Sequence, residues 1–169
     1  MTFTTAIDSL TDDVPTHAAV APFTSPMHAR WPDMDQNGHM RTVAYLEWAE
    51  DSRMRFFASV GFPMSAFQDL LVGPVVRSDE LNYRAEMRLL DEGTIELRMA
   101  GLSDDGARFR MRNTIRRADG RVAAEITSNG GWLHLTERRL VGPPQALLDV
   151  LRSLARTNDF ESLPDLTPR

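Results

Sequence analysis

Asp33-Met34-Asp35-Gln36-Asn37-Gly38-His39-Met40 places two carboxylates, a glycine and an imidazole just ahead of a helical run that begins at Thr42. From there Leu46, Ala49, Phe56, Phe57 and Val60 recur at helical spacing, and Glu47, Glu50 and Asp51 precede Arg53 and Arg55, as the helix dipole favours. Gly61 suits a left-handed C-terminal cap, and Pro63 follows where a helix cannot continue. The spacing predicts one long amphipathic helix whose first N–H groups are unpaired, with roughly half a positive charge at that end. Such an end holds an anion or polarises a carbonyl, and a carboxylate beside it suits hydrolysis.

The segments on either side read differently. Met27–Trp31 is predicted as a strand, at a sheet edge because Pro26 adjoins it. Ser65–Leu71 adds a short turn of helix. Beyond it the period changes to two: Ile95, Leu97 and Met99 alternate with Glu96 and Arg98, and Phe109, Met111 and Ile115 alternate with Arg108, Arg110, Arg112 and Arg116. Asp104-Asp105-Gly106 and Ala118-Asp119-Gly120 carry antiparallel turn chemistry, Val75–Tyr83 and Arg121–Leu135 supply flanking strands, and Gly130-Gly131 suggests a bulge or kink. Pro143–Leu154 reads as a C-terminal helix with Leu147, Leu148, Leu151 and Leu154 on one face. The expected class is α+β: an antiparallel sheet of about five strands whose apolar face is covered by the one long helix.

Composition bounds the function. The 169 residues, with 42% hydrophobic content, fit one domain with its own core. A formal charge of −5 and a pI near 5.3 argue against a nucleic-acid binder. There is no cysteine, which removes disulfides, thiolate chemistry and Cys-containing metal sites. No apolar run spans a bilayer and no signal segment is evident, so a cytoplasmic protein is expected. Residues 1–21 and 157–169 are polar and aperiodic and read as mobile arms around a domain at 22–156.

Arg30-Trp31, then Asp33-Met34-Asp35-Gln36-Asn37-Gly38-His39, then Tyr45-Leu46 and Glu50-Asp51-Ser52-Arg53 resemble hotdog-fold acyl-CoA thioesterases of the 4-hydroxybenzoyl-CoA thioesterase type. The specific match runs from Arg30 to Arg53, and beyond it the likeness is a pattern of strands. The resemblance implies a sheet wrapped around the long helix. It also implies that Asp35 is the catalytic carboxylate, as general base on water or as nucleophile through a mixed anhydride. Backbone N–H groups near Thr42 are implied to polarise the thioester carbonyl, with Gly38 permitting the close turn. The family commonly has His-Val and two asparagines where this chain has His39-Met40-Arg41-Thr42. Thr42 then serves as cap or hydroxyl, and Arg41 as a charge for a substrate carboxylate or phosphate. His39 is a secondary catalytic candidate, and Gly38, Met40 and Arg41 are substrate-binding candidates. The resemblance further implies a homodimer or homotetramer with sites between subunits and no redox cofactor or metal.

Each candidate has a plainer reading. Acidic residues favour loops and helix starts, and Asp33 is read as bracing the turn. His28, Asp33, Asp35 and His39 match no common metal-ligand spacing. Glu50 and Arg53 form an ordinary i,i+3 pair. Arg108, Arg110, Arg112 and Arg116 either meet coenzyme A phosphates or an acidic carrier, or form a solvated face paired with Glu96 and its neighbours. Phe62, Met64 and Phe67 line an acyl pocket or fill core. The reading is an acyl-CoA thioesterase. The alternatives are a thioesterase off-loading a fatty or polyketide chain from an acyl carrier protein and a non-catalytic acyl-CoA-binding module.

Overall fold

The helix expected from Thr42 is α1 (Thr42–Ser59) in a computed structural model that describes residues 21–166. Its buried residues are Ala44, Tyr45, Trp48, Ala49, Ser52, Arg53, Phe56 and Phe57, a stripe two residues wide repeated each turn. Leu46 is only half-buried and Val60 is exposed, so the buried face is rotated from the one its apolar residues suggest. Ser52 and Arg53 occupy the middle of that face. A short helix, α2 (Met64–Asp69), follows; Phe67 enters the core, Phe62 packs against it, and Met64 stays exposed. No helix among the described residues is long and apolar enough to cross a membrane.

Around α1 wrap β1 (Phe23–His28), β2 (Val72–Tyr83), β3 (Glu92–Ser103), β4 (Arg108–Arg117) and β5 (Val122–His134), all antiparallel in the order β1-β3-β4-β5-β2. This is the hotdog arrangement, and the α+β class stands. Both predicted hairpin turns place a glycine at positive φ, Gly106 at 69° and Gly120 at 83°. The C-terminal helix, α3 (Gln145–Ser153), seats Leu147, Leu148 and Leu151 on the core, with Pro144 as N-cap. Two strands are additions: β6 (Leu140–Val141) on the end of β5, and β7 (Arg156–Leu163) parallel to β3. β1 takes the first half of β3 and β7 the second, so the two share one edge.

Three expectations need correction. The first strand ends at His28 rather than Trp31, because Asp33 draws the Arg30 N–H to its carboxylate and turns Trp31–Asp33 into a short 3-10 helix. The C-terminal tail expected from residue 157 is instead strand β7 over Arg156–Leu163. Glu161 pairs with Arg110 at 2.6 Å and Asp159 with Arg112 at 2.8 Å. The bulge suggested at Gly130-Gly131 lies on the facing strand between Val76 and Ser78. Of the N-terminal arm expected over 1–21, residues 1–20 lie outside the described residues.

The two glycines serve close approach. A Cβ at Gly130 would lie 2.6 Å from the Phe109 ring and also clash with the Val75 carbonyl oxygen. Gly130→Ala should therefore destabilise by about 2–3 kcal/mol through overpacking. Chemical denaturation checks this, and a loss below about 0.5 kcal/mol would show that the β2 backbone at Val75 and the Phe109 ring both give way freely.

The core has two apolar parts. One gathers Phe56, Phe57, Phe67, Met111, Trp132 and Leu151, and the other Met27, Tyr45, Trp48, Ile95, Ile115 and Ile126. On α1 the residues between them are Ser52 and Arg53, and on β4 the residue between Met111 and Ile115 is Asn113. Ser128 on β5 is fully buried as well and donates its hydroxyl to Asp79 of β2. A band of polar side chains thus crosses the interior.

Candidate active site

Asp33 anchors the approach to α1. Its carboxylate is 1% exposed and accepts four bonds: from the Arg30 N–H, Nε and Nη2, each at 2.9 Å, and from the Trp48 indole N–H at 3.2 Å. Burial pushes its pKa up, but the bonds from the Arg30 side chain and backbone and from Trp48 outweigh that and hold the carboxyl below its ordinary value. The Arg30 guanidinium also lies 4.7 Å over the Trp48 ring. This is the bracing role expected for Asp33.

From Met34 to Met40 the chain doubles back in a tight loop. Met34 bridges Met40, the Asp35 N–H donates to the His39 carbonyl at 2.8 Å, and Gly38 takes a φ of 76° that suits glycine. Asp35 is exposed at the tip, where its Oδ1 accepts the backbone N–H groups of Asn37 at 2.8 Å and His39 at 3.1 Å. Those bonds, the His39 N–H foremost, hold its carboxyl below the usual aspartate value, so Asp35 is ionised at neutral pH. Its Oδ2 accepts no hydrogen bond from the described residues. An ionised carboxylate with a free oxygen is competent as base or nucleophile.

Asp35, Gly38, Trp31, Pro32, Met34 and Leu89 line a cleft of about 490 Å³. Trp31 is 78% exposed beside it, and Leu90, next to Leu89, sits at a φ of 66° and is also exposed. The resemblance did not supply these apolar walls. A pair of leucines between Arg88 and Asp91, in a connection where turn residues are expected, is the sequence signal that marks them.

The other candidates divide. Thr42 is the first helical residue, not the cap; the N-cap is Arg41, which makes no side-chain cap bond. The N–H groups of Thr42 and Val43 donate to no acceptor among the described residues, while the Thr42 carbonyl accepts the Tyr83 hydroxyl at 3.2 Å. Those two N–H groups are the available donors of the helix start. The Arg41 guanidinium is engaged, with Nη2 on Glu47 at 2.9 Å and Nε on the Pro32 carbonyl at 3.1 Å. Met40 is a correction: it is 4% exposed and packed in the core with Ala44 and Tyr45, so its side chain does not reach the cleft. The His39 ring pairs with Glu86, Nε2 to carboxylate 2.9 Å, rather than with Asp35. His28 packs edge-on to Trp48, so it does not converge with His39.

A family model described as the thioesterase-like superfamily matches residues 29–151. No curated protein matches the sequence. A hypothetical protein of Staphylococcus aureus, solved in complex with CoA, is 20% identical over 90% of this chain and 92% of that one, with a TM-score of 0.74. The 1,4-dihydroxy-2-naphthoyl-CoA thioesterase of Synechocystis is 15% identical over 78% and 96%, with a TM-score of 0.70. The DHNA-CoA thioesterase of Staphylococcus aureus is 14% identical over 78% and 87%, with a TM-score of 0.69. At these identities the likeness is one of fold.

Proposed function

The chain belongs to the thioesterase-like superfamily, and from that premise we propose that it hydrolyses an acyl-CoA thioester to a carboxylic acid and free coenzyme A. The observation that carries this reading is the ionised, exposed Asp35 with a free Oδ2, in a loop that leads into the unpaired N–H groups of Thr42 and Val43 at the start of α1. Those donors would take the developing charge on the thioester oxygen while Asp35 takes a proton from water or attacks the carbonyl itself. The apolar walls of Trp31, Met34 and Leu89 would pack against the apolar part of the substrate beside the reacting carbon. His39 then acts through Glu86 to hold the loop.

Coenzyme A is favoured over a carrier protein on two grounds. Solved structures of this fold are named for CoA thioesters or hold CoA. The arginines of the outer sheet face also lend less charge to an acidic carrier than their number suggests, since Arg110 and Arg112 are taken by Glu161 and Asp159. Thiol release from a panel of short, long and aromatic acyl-CoAs tests the reading, with no background from this cysteine-free chain. No release from any of them would overturn it.

We also propose a homodimer as the minimal unit. The outer edge of β2, twelve residues long, carries no strand among the described residues, and Val76 and Tyr83 are exposed along it. Sedimentation equilibrium should give at least twice the 19.0 kDa chain mass. A monomer at micromolar concentration would remove the proposal.

A further inference from the structure

Arg53 is 6% exposed, and its Nε donates to the Ala49 carbonyl at 3.1 Å, yet its Nη2 is buried without any hydrogen-bond partner. The expected pairing with Glu50 is absent: Glu50 is exposed, and no ion pair joins the two. A guanidinium cannot shed its charge as a lysine can, so a free donor in the interior is costly unless an acceptor arrives. Burial pulls its pKa down, against the attraction of Asp79 and Glu50.

Arg53 and the exposed Glu50 line a cleft of about 260 Å³ whose apolar walls include Met54, Phe57, Phe109 and Met111. It is separate from the Asp35 cleft, and no residue lines both. Arg53 supplies the buried donors of this cleft and Glu50 a carboxylate that is exposed, with apolar side chains forming the other walls; one buried donor set among such walls suits an apolar ligand with a single oriented polar group. Two carboxylates, Asp79 and Glu50, already act on this guanidinium, so a third would be repelled where a neutral oxygen would not. Along α1, Arg53 lies about three turns, ~16 Å, from Thr42, where the thioester carbonyl would sit.

We propose that this cleft binds the acyl group of the substrate, and that Arg53 selects acyl groups carrying an uncharged oxygen, a hydroxyl or ketone, at the end far from the thioester. The proposal rests on the hydrolase reading for the identity of the ligand, but its binding arm does not. Arg53 is here a specificity residue and takes no part in the chemistry at Asp35.

The test compares ω-hydroxyacyl-CoAs of increasing length with saturated acyl-CoAs of equal length. The wild type should favour the hydroxylated series by at least about tenfold in kcat/KM at the matching length, the scale of one hydrogen bond to a charged donor. Arg53→Met keeps the length of the stem and removes a buried charge, so it should fold; it should lose that preference while retaining turnover of the saturated series. Equal losses on both series in Arg53→Met, or none, would overturn the assignment while leaving the hydrolase reading intact. Should no thioester be cleaved, calorimetric binding of the free ω-hydroxy acids to wild type and Arg53→Met decides the matter. Tighter binding to the wild type supports the cleft, and equal binding overturns it.

Discussion

Asp35→Asn should lower kcat/KM for the best acyl-CoA by at least about a hundredfold, the lower end of what a positioned base contributes. Asparagine is nearly isosteric, and its amide oxygen still accepts the N–H groups of Asn37 and His39 that Oδ1 accepts now. The loop should therefore keep its shape. What disappears is the charge on the free oxygen and with it the capacity to take a proton or attack a carbonyl. Thiol-release kinetics on the two proteins, with melting curves as a control on folding, measure this. A variant that stays within threefold of wild type while folded would make Asp35 a loop residue and nothing more. The same carboxylate sets an expectation for pH. Its folded pKa lies below the ordinary aspartate value, so the active, ionised form persists into more acidic solution than an unperturbed aspartate would allow. The kcat/KM profile should accordingly show no acid-side inflection above about pH 5 from this group. An inflection there that vanished with Asp35 would require a group raised by its surroundings, contrary to the open position seen here.

The second large effect is on stability. Asp33→Ala leaves the Trp48 indole N–H and the Arg30 backbone N–H without the acceptor they share, in a pocket where the carboxylate is 1% exposed. Loss of a hydrogen-bonded buried carboxylate of this kind should cost about 3 kcal/mol, since one partner, Arg30, remains partly solvated. For a chain of this size that corresponds to roughly 6–12 °C in melting temperature. The contribution has a defined pH window. Because the folded carboxyl titrates below its unfolded value of about 3.9, its stabilisation is fully present above that value and is lost as the pH falls through the folded pKa. Melting temperatures of wild type and Asp33→Ala should differ most at neutral pH and converge on acidification below about pH 4. A constant difference down to pH 2 would mean that packing, not charge, holds the turn.

Both expectations concern one short loop, and that loop was legible for a reason. The side-chain bonds of Asp33 and Asp35 reach at most four positions along the chain, apart from the one Asp33 accepts from Trp48; longer reach enters only through the Arg41 N–H on the Asp33 carbonyl, the His39–Glu86 pair and the backbone bridge of His39 to Arg88. Side-chain bonds to nearby backbone, a positive-φ glycine and a helix start are all encoded at that range. Met40 faces the core rather than the cleft, and nothing local in the sequence distinguishes a methionine in one position from the other. The same holds for Arg53: its spacing from Glu50 permits an i,i+3 pair, but the tertiary position of α1 buries one partner and leaves the other in solvent.

By itself the sequence determined the elements that depend on neighbours close in the chain: α1 with its start at Thr42 and its stop before Gly61, the hairpin turns at Gly106 and Gly120, the alternating strands, and the leucine face of α3. It determined as well that this chain needs one sheet to cover one long helix. The tertiary structure alone decided what meets across long separations. It turned the polar C-terminal segment into β7 by giving Glu161 and Asp159 the arginines of β4, about fifty positions away. It brought Leu89 beside Trp31 at the Asp35 cleft and set Arg53 among Met54, Phe57 and Phe109. Hydrophobic periodicity states which face is apolar, but not which surface it meets, and a polar residue on that face takes its surroundings from the partner elements that close over it.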